Sequence, residues 1–245
     1  MGPKNKQRTN DKRPKRAMLI EDAYQKVKEM IYFSELAPGQ KLIYNDLAKK
    51  LGVSITPIVQ ALVRLEASGL VEYIPNRGYY VGEITEVEAK ELYETREALE
   101  TYIIPHVLRN LNAKKHADIK RTFKKHWAAR QDGNLRGLIL LDVQFHLKIA
   151  EYSNNRVIYD MIKFIFERIY LKYRPEYTQY MGSERLKQVI VEHRDIMAAL
   201  KEGDVDKAVF VTRKHIRQGM AYVIASLGMN HRLGFIEPKK QTAFP

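Results

Sequence analysis

The chain has no cysteine in its 245 residues. That excludes a disulfide framework, a thiolate metal site and a cysteine nucleophile. No stretch approaches the roughly 20 consecutive apolar residues of a membrane-spanning helix, and the first residues lack the apolar core of a secretory signal. The expectation is therefore a cytoplasmic protein with no membrane partner. Tryptophan occurs once, but 15 tyrosines and a hydrophobic content of 45% leave ample material for packed cores, and the length suits two ordinary domains. Acidic residues are scarce at one end. Residues 1–17, "MGPKNKQRTNDKRPKRA", hold seven Lys or Arg against one Asp, about half of a formal net charge of +13. This segment reads as a disordered basic tail that adds sequence-independent attraction to phosphates.

A first domain is read over residues 18–84. From Leu19 an amphipathic helix places Ala23, Val27, Met30 and Ile31 at spacings of three and four, until "APGQKL" breaks it at Pro38 and Gly39. A short helix through Leu47, Ala48 and Leu51 stops at Gly52. The next opens with Ser54 as N-cap and Pro57 in its first turn, where a missing N–H costs nothing. Two short helices around a Gly-containing turn form the helix-turn-helix pattern, whose second member lies in the major groove. On that member Ile58, Ala61, Leu62 and Leu65 share the core face, and Thr56, Gln60 and Arg64 the opposite one. "GLVEYIPNRGYYV" then alternates as strand, turn and strand, a β-hairpin wing with Arg77 and Gly78 at its tip.

The stretches "SELAPGQKL", "LAKKLGVSITPIVQALVRLEASGLV" and "PNRGYYV" resemble the winged-helix domain of GntR-family transcription regulators along its whole length. In that family the turn commonly reads Val-Ser-Arg-Thr-Pro-Val-Arg-Glu-Ala-Leu, and its two arginines contact DNA. This chain has Ile55 and Val59 at those places, and Gln60 in place of the glutamate. Arginine pairs bidentately with guanine, whereas Ile and Val meet only thymine methyls. Direct readout is therefore expected from Thr56, Gln60 and Arg64, with Gln60 suited to adenine. The resemblance places Ser54, Arg77 and Gly78 against the double-stranded DNA operator as well, with Arg77 and the basic tail holding the backbone.

From "GEITEVEAKELYETREALE" a second domain begins, where Thr85 and Glu88 form a capping box. Helices are expected over 85–110, 113–131, 134–152, 155–173, 184–201 and 205–227, with Pro105 ending or kinking the first. The fold class is thus mainly α: a winged helix-turn-helix followed over 85–228 by an all-α antiparallel bundle, with 229–245 as a C-terminal tail. Within the bundle, Asp142 and His146 stand four apart on one helix face, while His193 and His215 sit on two later helices. One carboxylate and three imidazoles converging there would suit a divalent ion such as zinc, nickel or manganese. The other histidines, His126 among them, have no such partners in the sequence.

Residues 85–227 resemble the FCD ligand-sensing domain of the FadR branch of GntR regulators, through "LDVQFHLKIAEYSNN", "EHRDIMAALKEGDVDKAV" and a later "KHI". The resemblance implies that Asp142, His146, His193 and His215 are metal ligands. It brings Arg96 of "ETREALE" toward the effector and matches Asn155 to a loop asparagine. Asn154 replaces a frequent Gly, a change that Asn's tolerance of left-handed backbone makes cheap. Pocket shape is expected to depend on Tyr93, Tyr102 and Phe145. Together these features imply a homodimeric, ligand-responsive regulator sensing a small organic acid. The rival readings are a metal-dependent hydrolase-type enzyme and a regulator whose metal is purely structural. The hydrolase needs a general base beside the metal, and Glu192 points about 100° away from His193 on an ideal helix.

Overall fold

The computed structural model describes residues 12–33, 35–129, 135–172 and 183–232, and the chain divides into two compact units, 1–83 and 84–245. In the first, α1 (Lys12–Tyr32), β1 (Lys41–Leu42), α2 (Tyr44–Leu51), α3 (Ile55–Ala67), β2 (Val71–Ile74) and β3 (Gly78–Val81) follow in order. The anticipated apolar faces form its core: Ala23, Val27, Met30 and Ile31 of α1 are buried with Ile58, Ala61, Leu62 and Leu65 of α3. Gly52 ends α2 at φ +66°, in the left-handed region that favours glycine, and its N–H reaches back to the carbonyls of Ala48 and Lys49. The wing gains a strand beyond the expected hairpin. Lys41 and Leu42 pair antiparallel with Tyr80 and Tyr79, giving a sheet of order β1-β3-β2. "QKL" therefore closes an edge rather than simply extending the break.

The basic segment also departs from expectation. α1 begins at Lys12, so residues 12–17 are helical rather than disordered, while residues 1–11 lie outside the described part. Lys, Arg and Ala are good helix formers, and Pro14 falls in the first turn, where proline is tolerated.

The second unit contains α4 (Glu86–Asn110), α5 (Ala113–Ala129), α6 (Leu135–Glu151), α7 (Arg156–Lys172), α8 (Ser183–Glu202) and α9 (Val205–Arg232), close to the sequence-based spans except that α9 runs past 227. The end of the expected 134–152 helix holds: Asn154 turns out of α6 at φ +58°, and Asn155 Oδ1 caps α7 by accepting from the Ile158 N–H at 3.1 Å. α4 continues through Pro105 to Asn110. The hydrogen bond that proline removes is outweighed there by packing, because Ile103, Ile104 and Val107 are all buried around it. Only half of the capping box forms. Thr85 Oγ1 accepts from the Glu88 N–H at 3.1 Å, but the Glu88 carboxylate turns instead to Arg168 and Lys172, each at 2.6 Å.

Among the described residues, two apolar clusters pack this unit. One gathers around Phe145, Phe166, Ile103 and Ile196, the other around Tyr93, Ile169, Ile216 and Leu227. The polar groups of the candidate site lie in and beside this packing. Among the described residues no helix is long and apolar enough to cross a membrane.

Candidate functional site

Asp142 and His146 come from adjacent turns of α6, His193 from α8 and His215 from α9; one ligand atom from each lies within 4.8 Å of all the others. The three histidines are buried, and burial alone would penalise an ionised carboxylate beside them. The arrangement is held by what stands behind each ring. His146 Nδ1 lies 2.7 Å from Glu100 Oε2, and His215 Nδ1 lies 2.7 Å from Glu192 Oε2. His193 Nδ1 faces His126 Nδ1 at 3.2 Å. A ring that donates its Nδ1–H to a carboxylate presents a lone pair at Nε2. The Nε2 atoms of His146 and His215 then meet at 3.1 Å, with Arg96 NH2 also 2.9 Å from His146 Nε2. His193 Nε2 stands 3.2 Å from Asp142 Oδ1 yet makes no hydrogen bond. An unpaired buried ring nitrogen facing a carboxylate is costly unless a cation stands between them, so this donor set fits a divalent ion.

Charge around the cluster is arranged by salt bridges as well. Arg96, 2% exposed, pairs with Glu100, places NH2 2.9 Å from His146 Nε2 and lies over the Phe166 ring at 4.3 Å. Arg185 NH1 holds Glu192 Oε1 at 2.6 Å, and the Tyr170 hydroxyl donates to Asp142 Oδ2 at 2.9 Å. Phe145 stacks on His193 with centroids 4.3 Å apart, fixing that ring from its face. Tyr93 is buried against Gly219 of α9, where an added Cβ would stand 3.2 Å from the Tyr93 ring.

Burial lowers His193 to about 4, against the pull of Asp142. Burial and then the neighbouring His193 hold His215 well below the ordinary imidazole range, and burial lowers His126 too. Burial opposes the charge on Asp142, but His193 and His146 hold its carboxyl well below the usual range. Between about pH 4 and 6.5 the unfolded chain takes up protons at these histidines that the folded one does not, so stability falls as pH falls through that window. Glu192 works in the opposite sense, raised by burial against the charge of Arg185. We expect the urea midpoint of chelator-treated protein to decline from pH 6.5 toward pH 4, and to do so less in a His193→Asn variant; a flat profile in both would contradict the buried, neutral assignment.

The structure sets Arg96 against His146 and the Tyr93 ring beside Arg96, while Asn155 caps α7. Tyr102, expected near the pocket, is 59% exposed and lies tilted against His106, ring centroids 5.2 Å apart. Residues that the sequence reading passed over complete the site. His126 does have a partner, across space on α8. Glu192 does enter, because α8 is buried over an arc wide enough to hold both Glu192 and His193; it orients His215 on α9 rather than standing at the centre as a base. The Arg96–Glu100 spacing of four was the one signal for Glu100 available in the sequence.

In the first unit, Ser54 is the N-cap of α3 but makes no capping hydrogen bond, and it is exposed together with Thr56 and Arg77. Gly78, at φ +92°, begins β3 after the turn. Arg64 NH1 reaches Glu21 Oε2 on α1 at 2.7 Å, and its guanidinium lies 4.3 Å over Tyr24. Gln60 is half-buried, with Oε1 buried and unpartnered.

Comparison with known proteins agrees with both units. Residues 19–81 match the family described as bacterial regulatory proteins, gntR family, and residues 91–218 match the FCD domain. The HTH-type transcriptional regulator McbR of Escherichia coli (strain K12) is 26% identical over 195 residues, 80% of this chain and 88% of that protein. The uncharacterized HTH-type transcriptional regulator YdhC of Bacillus subtilis (strain 168) is 25% identical over 186 residues, 76% of this chain and 82% of that protein. The solved structure of E. coli McbR/YncC has the same fold, with a TM-score of 0.71 at 24% identity, over 84% of this chain and 97% of that one. These relatives are named as regulators of transcription and none as an enzyme. With its helix-turn-helix unit matched and more than half its length matched by the second domain, the chain belongs to the GntR family of bacterial transcription regulators, in the branch that carries an FCD domain.

Proposed function

We propose that the helical unit senses a small organic acid at a divalent-metal site and passes that signal to the DNA-reading unit of a homodimer working in the cytoplasm. The observation that carries this reading is the convergence of Asp142, His146, His193 and His215 within 4.8 Å, with carboxylates behind two of the rings and an imidazole behind the third. Zinc, nickel and manganese all suit a nitrogen- and oxygen-rich donor set. When bound, such an ion supplies a positive centre that accepts a carboxylate oxygen. Arg96 stands beside it with a guanidinium able to pair with an anionic group of the same ligand, at the cost of loosening Glu100.

A short chain of contacts leads outward. The Tyr170 hydroxyl holds Asp142, and two residues further on Lys172 pairs with Glu88 while its carbonyl accepts from the Ile84 N–H, at the start of this unit. A ligand that binds one arrangement of this chain better than another biases its equilibrium by that difference and no more. On the DNA side, Ser54, Thr56, Arg77, Gly78 and the basic tail face the duplex in this reading, with Gln60 and Arg64 in supporting positions.

The test is metal content. After chelation, the full chain is expected to take up one zinc, nickel or manganese ion per chain, and His193→Asn and His215→Asn to lose that uptake while keeping their helical circular dichroism. Absence of stoichiometric uptake by the parent chain would contradict the proposal.

A further inference from the structure

The recognition helix carries little free charge. Of the two basic or acidic residues on α3, Arg64 is drawn to Glu21 and Tyr24 of α1, and Glu66 accepts from the Tyr79 hydroxyl at 3.3 Å. Gln60 cannot present the donor and acceptor pair that adenine needs while its Oε1 is buried. Beside exposed Thr56 and the surface pairs of Arg64 and Glu66, α3 shows solvent an apolar flank. Ile55 is 47% exposed and Val63 48%, with half-buried Val59 between them, a stripe at spacings of four along one flank. A β-branched side chain at the surface of a helix lying in the major groove, whether open like Ile55 or half-buried like Val59, has one apolar partner in B-DNA, the C5 methyl of thymine. Four residues of helix advance about 6 Å, roughly two base-pair steps of ~3.4 Å.

Resting on the family's DNA-binding role, we propose that Ile55 and Val59 read the methyl groups of two thymines lying one to two base pairs apart in the binding site. Specificity at those positions is for thymine through its methyl, not for guanine or adenine through hydrogen bonds. Thr56, exposed beside them, adds a hydroxyl that either strand's base edges can accept or donate to.

The experiment begins with selection of bound sequences from random duplexes by the full chain. Each thymine of the selected site is then replaced by deoxyuridine, which removes only the methyl. Two neighbouring positions should each weaken binding about fourfold, the effect expected for one buried methyl group. Ile55→Ala should abolish the effect at one position and Val59→Ala at the other, each variant then binding thymine and uracil alike at its own position only. A selected site whose affinity is indifferent to uracil throughout, or a uracil effect that persists in both variants, overturns the inference and leaves the DNA-binding role standing. Failure to select any sequence strikes at sequence-specific reading itself.

Discussion

Replacing Glu100 with alanine should destabilise the helical unit by about 3–5 kcal/mol, a large share of the ~5–15 kcal/mol that a domain has in total. The reason is what the change leaves behind. Arg96 is 2% exposed and its charge is balanced by Glu100, whose carboxyl, despite burial, is brought down to about 2 by Arg96 and His146. Without that carboxylate, a guanidinium and the His146 Nδ1–H are both stranded away from water. Glu97→Ala is the internal comparison, since Glu97 pairs with Arg213 and Arg217 at the surface. Partly exposed pairs of that kind contribute about 1 kcal/mol or less. Urea denaturation of the two variants therefore separates the buried pair from the superficial one. Equal midpoints would mean that Arg96 has another acceptor and that the site is not organised around Glu100.

The second large effect concerns the ion. A ligand that binds only the folded state stabilises it by about 2.7 kcal/mol at a free concentration one hundred times its Kd. For a domain of this size that is roughly 5–10 °C in midpoint. Chelator-treated protein should therefore gain thermal stability on addition of zinc, nickel or manganese, while His193→Asn and His215→Asn should gain none. Both substitutions keep a polar side chain of similar reach, so the packing beneath Phe145 is disturbed less than by alanine. A shift of the same size in the variants would assign the stabilisation to some other set of ligands.

The parts of this molecule that local pattern controls were legible in the sequence. Helices α5 to α8 begin and end close to the expected residues because Asn155, Gly203 and the polar breaks between helices are local signals, and the core face of α3 follows from the spacing of Ile58, Ala61, Leu62 and Leu65 alone. The four candidate ligands were recognisable through a family resemblance, and the structure brings them together. What could not be read were the partners that depend on distant elements. His126 meets His193 across sixty-seven residues, and Glu192 reaches a histidine on another helix. Arg64 shows the same limit in reverse. Its place on the polar face of α3 suggested a free reader of bases, yet a glutamate and a tyrosine on α1 hold it, a contact that no spacing within α3 could announce. Pro105 and the start of α1 mark places where packing or propensity outweighed a breaker or a charge run.

Coupling between the two units is read from the affinity of the full chain for its selected duplex, followed by fluorescence anisotropy with and without divalent ion while small carboxylic acids are titrated in. At least one acid should shift the affinity of the metal-loaded protein by about 5- to 150-fold, the range of an ordinary coupling energy, and Arg96→Ala and His193→Asn should remove the shift. Identical affinity in every condition, with metal bound and acid at saturating concentration, would contradict it.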